Sequence, residues 1–151
     1  MACLSYPERH MPVGDLGPDE VVTTERDSTL SDVAEQLRTE NVGAAVVAED
    51  DEPVGIVTDR DIALAVAESD EVASMSAEEV MTEDPAALPE DAEAMEISRT
   101  IEEQNVRRIP VVDENGAVTG IVTLDDLVAT VGEQMEKVSN TIESQSPEYE
   151  P

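Results

Sequence analysis

The phrase GIVTDRDI, from Gly55 to Ile62, returns as GIVTLDDL from Gly120 to Leu127. Written twice in 151 residues, it constrains the fold more than composition does, because it marks one small unit built twice. The repetition extends beyond the phrase. Shifted by 64 places, DLGPDEVV (Asp15 to Val22) lies over EVMTEDPA (Glu79 to Ala86). Leu30, Val33, Ala34 and Leu37 keep the i, i+3, i+4, i+7 spacing of an amphipathic helix, and their counterparts are Ala94, Ile97, Ser98 and Ile101. Asp27 and Asp91 precede these helices as expected caps or first-turn acids. Next come NVGAAVVAED (Asn41 to Asp50) and NVRRIPVVDEN (Asn105 to Asn115), each an apolar strand running into an acidic turn. One extra residue in the second turn changes the shift to 65, and the GIVT strands follow, each leading directly into a helix.

Each repeat is thus a lead-in segment, helix, strand, strand and helix, which makes the fold class α/β. Neither copy can bury its sheet alone, so the expected architecture is two β-α-β-β-α units packed through their sheets with pseudo-two-fold symmetry. Residues 13–70 form the first unit, 71–76 a polar linker and 77–136 the second unit; 1–12 and 137–151 are expected to be flexible ends. The chain has no Phe or Trp, and both tyrosines (Tyr6, Tyr149) lie near the termini. Val, Ile, Leu, Ala and Met must therefore fill the core, which suits short buried strands.

Eight basic residues against 37 acidic ones leave a net charge of −29, spread over both halves, with Lys137 the only lysine. Self-repulsion of that size destabilises a compact chain unless it is screened. The charge points to a cytoplasm of molar salt, where the Debye length falls to about 3 Å; the alternative is an acidic interaction protein in ordinary cytosol. Direct nucleic-acid binding would meet phosphate repulsion instead of counterion release. Cys3 stands alone and can form neither an internal disulfide nor a CxxC site. The start MACLSYPERH lacks a signal-peptide apolar run, and no stretch reaches membrane-spanning length, so a soluble cytoplasmic protein is expected. GxxxxGK[ST], GxGxxG after a strand, HExxH and calcium-loop patterns are missing, and the sole histidine, His10, lies in the terminal segment. Serines and threonines have no base to activate them, and the sequence is read as that of a non-enzyme.

In Thr58-Asp59-Arg60-Asp61 and Thr123-Leu124-Asp125-Asp126, a Thr ends a strand and an Asp follows three places later at a helix start. One reading is a capping box, in which the hydroxyl accepts from a backbone N–H and the acid reaches back. Another uses the same geometry for a ligand: hydroxyl and amides suit a phosphate, and a carboxylate one turn on accepts two hydrogen bonds from a ribose diol. Both can hold at once.

The repeated G-h-h-T-x-x-D, where h is apolar, with N-V-R-R-I-P-V-V-D before its second copy, resembles a pair of cystathionine beta-synthase (CBS) domains over about residues 13–136. That resemblance implies two CBS units packed sheet against sheet, with two related clefts for adenosine derivatives such as AMP, ADP, ATP or S-adenosylmethionine, with or without Mg2+. It places Thr58 and Thr123 on phosphate, Asp61 and Asp126 on ribose, and Ile56 and Ile121 beside the base. Each cleft is completed by the other unit. Site one would combine Ile56, Thr58, Arg60 and Asp61 with Val106, Arg107 and Arg108; site two would combine Ile121, Thr123 and Asp126 with Val22, Val42, Gly43 and Ala44. Arg107-Arg108 is matched by Gly43-Ala44 and Arg60 by Asp125, so three of eight cations fall on site one. Ala87 stands where the family often has the Thr seen at Thr23.

The resemblance implies a regulatory module, standing alone, that senses an adenosine ligand and signals to a regulated protein the sequence does not name. The rival expectation is a structural or docking module with vestigial clefts; a carboxylate-based metal-dependent enzyme is a distant third. The helices after the motif, IALAVA (Ile62 to Ala67) and LVATV (Leu127 to Val131), are apolar on nearly every face. The resemblance implies that these helices lie at the edge where two such pairs meet, so a homodimer built on Ile62, Leu64, Val66, Leu127, Val128 and Val131 is expected; the alternative is that the two helices pack on each other within one chain.

Overall fold

The computed structural model describes residues 12–17 and 21–145. Strand β1 (Thr23–Thr24), helix α1 (Leu30–Glu40), strands β2 (Ala44–Glu49) and β3 (Glu52–Thr58) and helix α2 (Asp59–Ala65) come from the first repeat. Helix α3 (Ala77–Val80) and strand β4 (Thr82–Glu83) lead into β5 (Leu88–Pro89), α4 (Ala94–Gln104), β6 (Arg108–Val112), β7 (Val118–Thr123) and α5 (Leu124–Gln145). Two short 3-10 turns, Val13–Asp15 and Val72–Ser74, complete the order.

The helix starts differ from the expected aspartates. Helix α1 is capped by Thr29, whose Oγ1 accepts from the Asp32 backbone N–H at 3.2 Å, and α4 by Glu93, whose N–H donates to Glu96 Oε2 at 3.2 Å. Asp27 and Asp91 each precede those caps by two places, outside the first turn. An acid three residues past each cap fixes the start: Glu96 completes a reciprocal capping box at α4, and Asp32 Oδ2 accepts from Thr29 Oγ1 at 2.8 Å at α1. Both helices stop at an asparagine in the left-handed region, Asn41 (φ 55°) and Asn105 (φ 53°), which the short amide tolerates better than most side chains.

The two mixed sheets are small. One has the order β1-β2-β3-β4, with β1 parallel to β2 and the other pairs antiparallel; the second has the order β5-β6-β7, parallel then antiparallel. Alternation divides each strand. Ala45, Val47 and Val57 join Leu30, Val33, Leu37 and Ala65 in one core; Ile109, Val111 and Val122 join Leu88, Ala92 and Ile97 in the other. Val46, Ile56 and Pro110 point to the opposite faces and are buried as well. Strands buried on both faces need a second layer, which the paired sheets supply to each other. Contacts cross between the units at the β2–β3 hairpin, where Val118 N–H donates to Asp51 O at 2.9 Å.

The lead-in segments do not stay with their own repeats. Val13 is fully buried in the second core, Val13 N–H donates to Ala92 O at 2.9 Å and Gly14 N–H to Glu90 O at 3.0 Å. Sixty-four places on, Ala77 and Met81 are buried in the first core, Ala77 N–H donates to Ser28 O at 2.9 Å and Glu78 N–H to Arg26 O at 3.0 Å. Strand β4 then pairs with β3, Gly55 opposite Glu83 and Ile56 opposite Thr82. Each unit is closed by the other's lead-in. Helix α3 is fixed by a capping box in which Ser76 N–H and Oγ donate to Glu79 Oε2 at 2.7 and 3.0 Å, bonds that hold this carboxyl below the usual carboxylate range. Nor is the 71–76 stretch a free linker, because Val72 and Met75 pack against the first core.

Helix α5 does not end at 137, where the tail was expected to begin: it runs unbroken for 22 residues to Gln145. The chain holds no Gly or Pro between Gly132 and Pro147 to stop it. Among the described residues, no helix is long and apolar enough to cross a membrane. Cys3, Tyr6, His10 and Tyr149 lie outside the described residues.

Candidate functional site

The duplicated phrase closes on itself in both copies. Thr58 N–H and Oγ1 both donate to Asp61 Oδ2 at 2.8 Å, and Asp61 N–H donates to Thr58 Oγ1 at 3.1 Å. In the second copy Thr123 N–H and Oγ1 donate to Asp126 Oδ2 at 2.8 and 2.7 Å, and Asp126 N–H returns to Thr123 Oγ1 at 3.2 Å. Every one of these bonds to a carboxylate uses Oδ2 alone, so the capping box leaves Oδ1 of each aspartate available as an acceptor.

Around the first copy the two units meet. A cleft of about 310 Å³ is lined by Ile56, Thr58 and Arg60 from one unit and Val106, Arg107 and Arg108 from the other, with Thr82, Pro85, Ala86 and Asn105. An adjoining cavity of about 330 Å³ shares Thr58, Arg60, Arg107 and Arg108 and adds Asp59, Thr123 and Asp125. Both strand-ending threonines thus open onto one arginine-lined space. Asp61 is held next to Thr58 by its cap but is not among the described residues lining either cavity.

The three arginines differ in their surroundings. Arg107 Nη2 lies 3.8 Å from Asp125 Oδ1 and is largely exposed, a pair worth little in solvent. Among the described residues, Arg60 and Arg108 have no carboxylate within ion-pair distance. Arg108 reaches across the unit boundary: a Cβ built on Gly43 would stand 3.2 Å from its Nη2 and 3.5 Å from Asp59 Oδ2. Here the two members of the sequence contrast between Gly43-Ala44 and Arg107-Arg108 face each other across the unit boundary. The Arg108 guanidinium lies in the space that a side chain at Gly43, the pseudo-symmetric partner of Arg107, would enter. Backbone bonds repeat on either side of this point, Asp59 N–H to Gly43 O at 3.1 Å and Leu124 N–H to Arg107 O at 2.9 Å.

The residues expected for site two are spread more widely. Ile121 lines a separate cavity of about 210 Å³ with Val13, Gly14, Gly17, Glu90 and Gly120. Val22 accepts from Val46 N–H at 2.9 Å and packs half-buried on the first core, Val42 is exposed, and Ala44 pairs with Thr58 across the β2–β3 ladder. Thr123 opens toward site one, with Asp126 beside it in the cap. No described cavity gathers Val22, Val42, Gly43 and Ala44 with Ile121, Thr123 and Asp126; residues 18–20, which join Gly17 to Val22, lie outside the described residues.

Sequence reasoning missed Asp59, Thr82, Pro85, Ala86 and Asn105 at the arginine-lined clefts. A signal for one was present: Val22 was expected in site two, and its counterpart 64 places on is Ala86. Asn105 likewise repeats Asn41 at the start of the strand phrase.

The comparisons agree with this geometry. The CBS domain family model matches residues 13–68 and 77–133. An uncharacterized protein of Methanopyrus kandleri is 33% identical over 138 residues, covering 85% of this chain and 70% of its own. Among solved structures, the CBS domain pair of protein MJ0100, in complex with 5'-methylthioadenosine and S-adenosyl-L-methionine, superposes with a TM-score of 0.73 at 26% identity, covering 83% of this chain and 98% of that one. A CBS domain protein of Pyrobaculum aerophilum, complexed with AMP, shares the fold with a TM-score of 0.70 at 24% identity over 77% of this chain and 89% of its own. These relatives lend no support to a salt-adapted origin, which rests on the charge alone. The doubled G-h-h-T-x-x-D phrase, the two mixed sheets closed by exchanged lead-ins and a family match over both repeats lead to one conclusion: the chain belongs to the CBS domain family, as a tandem pair of such domains.

Proposed function

We propose that this chain is a non-catalytic regulatory module that binds an adenosine derivative, AMP, ADP, ATP or S-adenosylmethionine, in the cleft between its units and passes the occupancy to a regulated protein in the cytoplasm. One observation carries the reading: in a chain of charge −29, Arg60, Arg107 and Arg108 are brought from both units to one cleft that also holds Thr58 and Ile56. An anionic ligand approaching so acidic a surface needs local cations, and a charge-assisted contact is worth about 1.5 to 3 kcal/mol. Ile56 and Val106 supply apolar surface for a base, Thr58 and the arginines meet phosphate, and the Oδ1 of Asp61 meets ribose after a small opening of the cleft. Mg2+ would enter with a nucleotide as its counter-ion. The second set, Ile121, Thr123 and Asp126 with Val22, Val42, Gly43 and Ala44, forms the weaker site because its own motif carries Asp125 where the first carries Arg60, and Gly43-Ala44 stand where the first set has Arg107-Arg108. Ligands carried by the MJ0100 pair support the adenosine class.

The expected homodimer keeps part of its surface. Ile62 and Leu127 turn into the two cores, while Leu64, Val66, Val128 and Val131 remain exposed. That exposed set favours a second reading, a docking module in which the clefts are secondary. Calorimetry with adenosine, AMP, ADP, ATP and S-adenosylmethionine in about 2 M KCl, where surface charge is screened, separates them. Micromolar affinity for at least one ligand, weakened by Arg108→Ala, supports sensing. An absence of binding by all five at millimolar concentration leaves only docking.

A further inference from the structure

We propose that Leu124, Val128, Val131, Met135, Val138 and Ile142 on α5 form the seam of a coiled coil with a second copy of this chain. Their spacing alternates four and three, the 3.5-residue period of a supercoiled pair. The last five are from 50% to 68% exposed, a continuous apolar stripe left uncovered among the described residues. A Cβ added at Gly132 would meet nothing within 4 Å, so the helix already stands clear of the body there, and every residue from 131 to 145 is exposed. From Val128 to Ile142 the stripe runs about 21 Å at 1.5 Å per residue.

Charge identifies the occupant. A second copy carries the same −29, so a surface on which copies pair must keep carboxylates away from its flanks. On the projecting part of α5 the positions flanking the seam are Gly132, Gln134, Ser139 and Thr141, all uncharged. Glu133, Glu136, Lys137 and Glu143 fall on the outward positions instead. A basic partner would be better met by acids beside the stripe; neutral flanks in a chain this acidic suit self-pairing. The same two-fold contact repeats every interaction, so six apolar side chains per chain become twelve.

This pairing is independent of ligand binding and extends the edge dimer beyond Val131. Light scattering on the full chain in about 2 M KCl tests it, with the surface charges screened. The expected mass is twice 16.2 kDa, falling to 16.2 kDa for Val138→Glu, which touches neither core and should leave the thermal melt of the body unchanged. Asn140→Glu adds the same charge on the outward face and should leave the mass doubled. A monomeric wild type, a mass of three copies or more, or loss of the dimer by both variants alike overturns the proposal. A dimer that survives Val138→Glu but is lost on Leu64→Glu overturns it too, while leaving the edge contact standing.

Discussion

Gly55 opens the first copy of the duplicated phrase, and its missing side chain leaves room for Met81, which arrives from the other repeat. A Cβ at Gly55 would stand 2.9 Å from Met81 Cγ and 3.2 Å from Met81 Cβ, and would collide with Sδ as well. The thioether and Cγ could swing about χ1 only into a packed core, and Cβ is fixed by a backbone that β4 pairs to β3 one residue on. Restoring ordinary contacts of about 3.5 to 4.0 Å requires a retreat of several tenths of an ångström to about 1 Å. Gly55→Ala should therefore destabilise by about 1 to 3 kcal/mol, the usual range for overpacking. In a chain of this length that lowers the melting temperature by about 3 to 10 °C. Met81 is 9% exposed, and Met81→Ala alone should cost about 2 to 4 kcal/mol through the cavity it leaves. Once that side chain is gone the clash disappears. Gly55 has no positive φ to protect, so alanine there should then be neutral or stabilising by up to about 1 kcal/mol through the unfolded chain. A double-mutant cycle by thermal and urea melts at fixed high salt reads the coupling, expected at about 1 to 3 kcal/mol. Equal cost of Gly55→Ala with and without Met81, or no cost in the parent, would refute the exchange of lead-in segments as the reason for the glycine.

Three further outcomes follow from the site and the charge. Arg108→Ala should weaken a phosphorylated adenosine ligand by roughly tenfold to a hundredfold while changing adenosine itself little, and Asp61→Ala should harm binding more than Asp126→Ala; calorimetry giving the reverse order would exchange the ranks of the two clefts. Lowering KCl from about 2 M to 0.1 M lengthens the Debye length from a few Å to about 10 Å, so 37 carboxylates begin to repel and the melting temperature should fall; a constant value by circular dichroism removes salt adaptation as the explanation of the charge.

Much of this architecture was legible because a repeat aligns one copy against the other. The helix stripe of Leu30, Val33 and Leu37, the doubled strand pair and the joint cleft of Ile56, Thr58 and Arg60 with Val106, Arg107 and Arg108 follow from the register and the family likeness. Segment exchange was not legible. Val13 and Ala77 are buried to the same degree whether each seats on its own unit or on the other, and pseudo-symmetry makes the two placements equivalent to any pattern of hydrophobicity. The caps at Thr29 and Glu93 were missed by two residues because an acid near a helix start is a weaker sign than a cap with an acid three places after it. Polar composition after Lys137 suggested fraying, yet Val138 and Ile142 continue the spacing of Val128, Val131 and Met135 on one unbroken helix.

The crossing of lead-in segments also sets the order in which this chain can fold. A nascent protein usually completes its N-terminal unit first and the next one after it. That schedule is closed to this one. The first core waits for Ala77 and Met81, which are synthesised after α2 is finished, and the second core needs Val13, made about eighty residues before Ala92 and Ile97. Neither half can complete its core on its own, so folding is expected to be a single event of high sequence separation, slower than two local ones. Its compensation is cooperativity: loosening either lead-in opens the opposite unit, and the two repeats melt together.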